Sequence, residues 1–172
     1  HRVRHILRGL KPFLAPEQFR LLSTITLKAA IYHDLGKLLG ESQDVLWRRV
    51  THPKMINHTD AGVAYLMLRK RRDDYLAAWL IKSHHWGFDD WTTIYSKWRD
   101  DKLVSERCPW SADAMRKVCE VSDTNLDHLI KQHDSVVSIQ VPDMDVDLSL
   151  ISPILMRLAL SILVDADHSD TA

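Results

Sequence analysis

The sequence predicts an all-α fold, a compact helical bundle, on three observations. Apolar residues recur every three or four positions through most of the chain, which is the period of a helix and not of a strand. Strand candidates are few, the best being a short segment with Val136, Val137, Ile139 and Val141. The last long segment, Ile154 to about Asp167, is apolar nearly all round and reads as a helix in the centre of the fold.

From His1 to Leu14, Val3, Ile6, Leu7, Leu10 and Phe13 keep helical spacing with Arg2, Arg4, Arg8 and Lys11 between them, an amphipathic helix. Pro16 and Glu17 open a second helix, in which Phe19, Leu22, Ile25, Ala29, Ala30 and Ile31 lead to His33. Gly40, Glu41 and Ser42 break the pattern before a short helix from Asp44 to Val50, and His52-Pro53 reads as a loop. Asn57 is expected to cap a helix containing His58, Ala61, Ala64, Tyr65 and Leu68, whose far end is the basic run Arg69 to Arg72. Asp73 or Asp74 caps the next helix, Tyr75 to His85, which Gly87 ends. Trp91, Ile94, Tyr95 and Trp98 fit one helix. Cys108-Pro109-Trp110 reads as a loop before a helix from about Ala112 to His133, and Pro142 to Asp147 as an acidic loop before Pro153 opens the final helix.

A length of 172 residues suits one domain with a sizeable core, and residues 1–172 are read as a single unit. Hydrophobic residues at 45% and charged residues at 27% are values of a globular protein, and no apolar run approaches a membrane span. Two cysteines, Cys108 and Cys119, are too few for a disulfide framework and fit a reducing cytoplasm. Lys plus Arg equals Asp plus Glu at 23 each, so no broad positive field favours nucleic acid and any such surface is local.

Ten histidines are the compositional feature that needs explaining. His33 and Asp34 stand side by side after an apolar helical run. Imidazole offers a borderline nitrogen donor and carboxylate a hard oxygen able to bridge two cations, so the pair suits a divalent metal that activates water. In isolation such a dipeptide is more often a hydrogen bond at a helix end. Gly36 permits close approach of a backbone or a phosphate, and Lys37, a turn further on, can meet an anionic group. His58, the pair His84-His85, and Asp165 with Asp167 are the other candidate ligands, each at a predicted helix terminus. Helix ends meet at the mouth of a bundle, so these groups are expected to converge on one cavity.

These residues resemble the HD superfamily of metal-dependent phosphohydrolases, and within it the HD nuclease domain of the type I CRISPR-associated helicase-nuclease. The resemblance rests on His33-Asp34-Leu35-Gly36-Lys37, Asn57-His58-Thr59-Asp60-Ala61-Gly62, Ser83-His84-His85-Trp86-Gly87 and Val164-Asp165-Ala166-Asp167. The first motif marks only the superfamily, and the His-His pair followed by Gly is similar to the CRISPR branch. It implies a first divalent metal on His33, Asp34 and the terminal aspartate, with Asp34 able to bridge to a second on His58, His84 and His85. The family's opening histidine corresponds to His1, with His5 one turn on as the alternative. A motif residue at the first position is expected of a trimmed fragment of a longer helicase-nuclease chain. The family's Ala-Asp pattern favours Asp167 over Asp165, a choice that periodicity leaves open.

The resemblance implies a nuclease for single-stranded DNA in type I CRISPR interference, working in the cytoplasm with a helicase domain, on the same or a separate chain, and a guide-RNA surveillance complex. One or two divalent ions are expected: manganese, nickel, cobalt, iron, magnesium or zinc. Asp34 and Lys37 are the expected catalytic residues. The alternatives are an HD phosphohydrolase of small nucleotides and a non-catalytic helical module. His133-Asp134 repeats the dipeptide without Gly and Lys and reads as a surface hydrogen bond, and His52, His128 and His168 as structural or exposed. Trp86 is a candidate to face the site and stack on a base, and the run Arg69 to Arg72 a solvated helix end or a phosphate contact.

Overall fold

A computed structural model describes residues 2–38, 40–47, 58–85, 87–88 and 126–170. His1, His52, Asn57, Trp86, both cysteines, the helix expected around Trp91 to Trp98 and the start of the one expected from Ala112 lie outside them. The described chain forms α1 (Arg2–Leu10), α2 (Pro16–Tyr32), α3 (Gly40–Leu46), α4 (Asp60–Leu68), α5 (Arg72–Ser83), α6 (Leu126–Val136) and α7 (Pro153–Asp170). Tighter 3₁₀ turns occupy Lys11–Phe13, Leu35–Leu38 and Leu148–Leu150. Among the described residues there is no strand, and the fold is all-α.

Helix α2 is the central element. Pro16 starts it with a fixed φ and no N–H to leave unsatisfied, and Glu17 complements the positive end of its dipole. Its Leu21, Leu22, Ile25 and Ala29 are fully buried against α5, α7 and α1. Leu76, Leu80 and Ile81 of α5, Val63 and Leu66 of α4, Met156 and Leu163 of α7, and Val3 and Leu7 of α1 complete the main core. Burying such a leucine or isoleucine contributes about 1.5–3 kcal/mol, so this shared core holds five helices in one register. Leu35, Ala61 and Leu129 form a smaller cluster that seats α6 under the Leu35–Leu38 turn.

Several expectations need correction. Val137 to Asp147 contain no strand and no regular structure, since no second segment with matching alternation pairs with them among the described residues. Helix α3 begins at Gly40, before the expected Asp44, because Ser42 turns its hydroxyl back onto the Gly36 carbonyl at 2.9 Å and so favours the first turn. His58 precedes α4, whose N-cap is Thr59 without a side-chain cap bond. Helix α7 is not buried all round. Its stripe Ile154, Arg157, Ser161, Asp165 and His168 is exposed, while Leu155, Met156, Ala159, Ile162, Leu163 and Ala166 are buried.

Asp73 and Asp74 are not caps either. Both are fully buried in the first turn of α5, whose N-cap is Arg71. Lys28 of α2, also buried, places Nζ 2.7 Å from Asp73, 2.6 Å from Asp74 and 2.9 Å from Asp143. Arg69 binds Asp74 and Asp143 at 2.7 and 2.6 Å, Arg71 lies 3.3 Å from Asp73, and the Met144 amide donates to Asp73 at 2.8 Å. Three cations and three carboxylates therefore balance. Burial alone would lower the Lys28 pKa, but the hydrogen bonds to its carboxylates outweigh that and hold it above the ordinary lysine value. Arg69 and Arg71 are thus engaged by carboxylates of the fold. His133 is buried, not on the surface, with Nδ1 3.1 Å from Asp134 and Nε2 3.0 Å from the Ile31 carbonyl, which ties α6 to α2.

Candidate metal centre

Two helices end on histidine. His33 is the C-cap of α2 and His84 the C-cap of α5, where the last backbone carbonyls of each helix have no intrahelical partner. Each imidazole uses one of them: His33 Nδ1 donates to the Ala30 carbonyl at 3.0 Å and His84 Nδ1 to the Ile81 carbonyl at 2.6 Å. A carbonyl can only accept, so each ring carries a proton on Nδ1 and turns Nε2 toward the site. The negative ends of two helix dipoles point the same way and favour a cation there.

The turn after α2 supplies Asp34. Lys37 N bonds the Asp34 carbonyl at 2.8 Å, and Lys37 Nζ bonds Asp34 Oδ2 at 2.8 Å. His33 Nε2 lies 3.4 Å from that oxygen and 3.3 Å from Asp167 Oδ1, while Asp34 Oδ1 lies 3.8 Å from His58 Nε2. His85 Nε2 is 3.0 Å from His58 Nε2, and the His84 ring is 3.8 Å from that of His85 and 5.7 Å from that of His33. The candidate ligands thus form two groups, His33-Asp34-Asp167 and His58-His84-His85, with ligand atoms within 4.8 Å of one another in each. Asp34 faces both.

Glycines explain the close approach. Gly36 donates its N–H to the His58 carbonyl at 3.1 Å, and a Cβ at Gly36 would overlap the His58 backbone, with Cα at 2.7 Å. A Cβ at Gly62 would collide with the Tyr32 carbonyl, beside His33. Backbone, not phosphate, is what Gly36 admits. Gly36→Ala is therefore expected to displace His58 and weaken manganese binding by about 10–100-fold, the usual cost of disturbing a ligand's support, measurable by calorimetric titration.

The electrostatics suit a cation. Burial pushes the pKa of His58, His84 and His85 down, neighbouring imidazoles add to it at all three and Lys37 at His58 and His85, so the rings are neutral at pH 7, as metal ligands must be. At Asp167, burial would raise the pKa, but the charge and hydrogen bond of His33 prevail and hold it below the ordinary carboxylate value. Two buried atoms of the site, Asp34 Oδ1 and His84 Nε2, have no hydrogen-bond partner among the described residues. Buried polar atoms are nearly always satisfied, so an acceptor oxygen and an imidazole nitrogen without partners in one site fit the donor set of a divalent ion.

Asp165 points away, half exposed and 3.7 Å from Arg2, which sets the start of α1 against the end of α7. His5 is exposed and joins neither ligand group, and His128 and His168 are exposed as well. The carboxylates of Asp73, Asp74 and Asp143 are also close enough to hold an ion, but the Lys28 ammonium already sits among them.

A family model described as HD domain matches residues 2–102, more than half of the chain. The chain belongs to the HD domain family. HD domains are metal-dependent phosphohydrolases, and the His33-Asp34 pair with His58 and His84-His85 lies inside the matched span of this HD domain, whereas Asp167 lies beyond it. No curated protein and no solved structure matches this HD domain significantly. Among its described residues no helix is long and apolar enough to cross a membrane.

Proposed function

We propose that this HD domain is a metal-dependent phosphodiesterase that cuts single-stranded DNA, the nuclease unit of type I CRISPR interference, with residues 1–172 acting as one domain. One observation supports it above others: Asp34 stands between two ligand groups, one of them made of three imidazoles. That second group contains the His84-His85 pair by which the sequence resembles the CRISPR nuclease branch.

His33, Asp34 and Asp167 would hold one divalent ion and His58, His84 and His85 a second, with Asp34 shared and His1 an added ligand by resemblance. Bound there, such ions supply Lewis acidity toward water and phosphate. The chain's own residues do the rest. The Nδ1 bonds of His33 and His84 keep their Nε2 atoms aimed at the site, and Lys37 keeps a positive charge beside Asp34 where it attracts and orients a phosphate. Asp167 fixes the far side of His33. With zero net charge the protein binds DNA weakly alone, so a helicase domain, on the same or a separate chain and recruited by a guide-RNA complex, would feed it unwound strand in the cytoplasm.

Cleavage of matched single-stranded and blunt duplex DNA in manganese, nickel or magnesium tests this. The single strand should be cut at least about tenfold faster, since each base freed from its stack can add roughly 1–3 kcal/mol of contact. Chelation should remove activity and added metal restore it. Equal rates on duplex would count against the substrate, and a preference for nucleoside phosphates would favour the small-nucleotide phosphohydrolase.

A further inference from the structure

A cavity of about 450 Å³ opens beside His33, Asp34 and Asp167. The rest of its lining joins apolar side chains, chiefly Ile31, Ile139 and Leu163, to two cations, Arg2 and Arg4 of α1. We propose that this cavity seats one unpaired nucleotide of the DNA strand, the one next to the phosphate that is cleaved; the inference rests on the phosphodiesterase reading above.

Size, charge and position agree. Ligand cavities run from about 300 to 1,000 Å³, and this one is at the end of that range suited to a single nucleotide. Its apolar side chains match the faces of a base and its arginines the flanking phosphate. Arg2 meets Asp165 only at 3.7 Å, with both side chains about half exposed, and no described residue forms an ion pair with Arg4, so both can turn to an anion. A neighbouring cavity of about 670 Å³ shares Ile31, Val137 and Ile139 but is lined by Asp74, Asp134 and Asp143, while its Lys28 and Arg69 are already engaged by carboxylates. That side offers phosphate no uncompensated cation, which leaves the strand the Arg2–Arg4 side. A base reaches such a recess only when it is out of a duplex stack, so the cavity selects for single strands.

The test compares a single-stranded oligothymidylate with bis(4-nitrophenyl) phosphate, a diester without a base, in manganese. Ile139→Trp, which fills the cavity, should lower the ratio of oligothymidylate to generic diester kcat/KM by about tenfold, through KM, and Arg4→Ala should raise KM for the strand and reduce its salt dependence. A strand with abasic sites should lose the same advantage in the unaltered protein. In the non-cleaving Asp34→Ala background, fluorescence anisotropy should show the labelled strand binding several-fold more weakly once Ile139→Trp is added. Unchanged ratios and affinities in both variants, equal cleavage of the abasic strand, or preference for thymidine monophosphate over the strand would overturn the inference while generic diester hydrolysis upholds the phosphodiesterase. Loss of metal-dependent hydrolysis of every diester would instead remove the reading on which it rests.

Discussion

Asp34→Ala is expected to abolish phosphodiester hydrolysis, by at least about 10³-fold, while the helical fold persists. Its carboxylate faces both ligand sets, with Oδ2 3.4 Å from His33 and Oδ1 3.8 Å from His58. Asp167 is grouped by its ligand atoms only with His33 and Asp34, and Lys37 carries the wrong charge, so neither takes over the bridging position. The cost to the metal-free fold should be small. Asp34 is more than a third exposed, and its ion pair with Lys37 is of the kind worth about 0–1 kcal/mol once solvent screening is allowed for. Removing it also separates a carboxylate from Asp167. Circular dichroism and melting of the chelated protein should therefore match the unaltered chain, whereas metal-dependent stabilisation and hydrolysis should both vanish. Retained activity at saturating metal with a normal spectrum would contradict the bridging role.

The helical class and the placement of His33 and His84 at helix ends were legible because both depend on local pattern. Ile25, Ala29 and Ile31 run directly into His33, and Leu76, Leu80 and Ile81 into His84, so a core helix had to deliver each histidine to its own end. The choice between Asp165 and Asp167 was not legible, since Ile154 and Leu158 mask the polar stripe of α7 and only packing against α2 and α5 reveals which side is inward. His58 escaped correct placement because its position is set by the Gly36 backbone, far away in sequence. The Val136–Val141 alternation suggested a strand, but alternation needs a partner, and the described residues bring none. The buried charge cluster did leave a trace. Lys28 stands three residues after Ile25 and seven after Leu21, on the core face of α2, and a lysine in that register requires acidic partners.

Lys28→Ala is therefore expected to be the most damaging single substitution for stability, at about 3–5 kcal/mol, the usual cost of breaking a buried pair from one side. Asp73 and Asp74 are fully inaccessible and would be left in the core with only Arg69 and Arg71 to face them. Against a typical total of about 5–15 kcal/mol this is a large share, and for a chain of this size it corresponds to a melting temperature lower by about 6–20 °C. The loss should be specific to charge balance. Lys28→Met combined with Asp74→Asn leaves two carboxylates, Asp73 and Asp143, with two arginines, and should recover at least about half of the deficit because an apolar replacement of a paired buried charge is often tolerated. The cluster does not touch the histidines, so hydrolysis per folded molecule measured well below the melting transition should change little for either variant. Thermal melting of the three proteins decides it: a Lys28→Ala protein that melts within about 2 °C of the unaltered chain would mean that the cluster contributes no more than a surface pair.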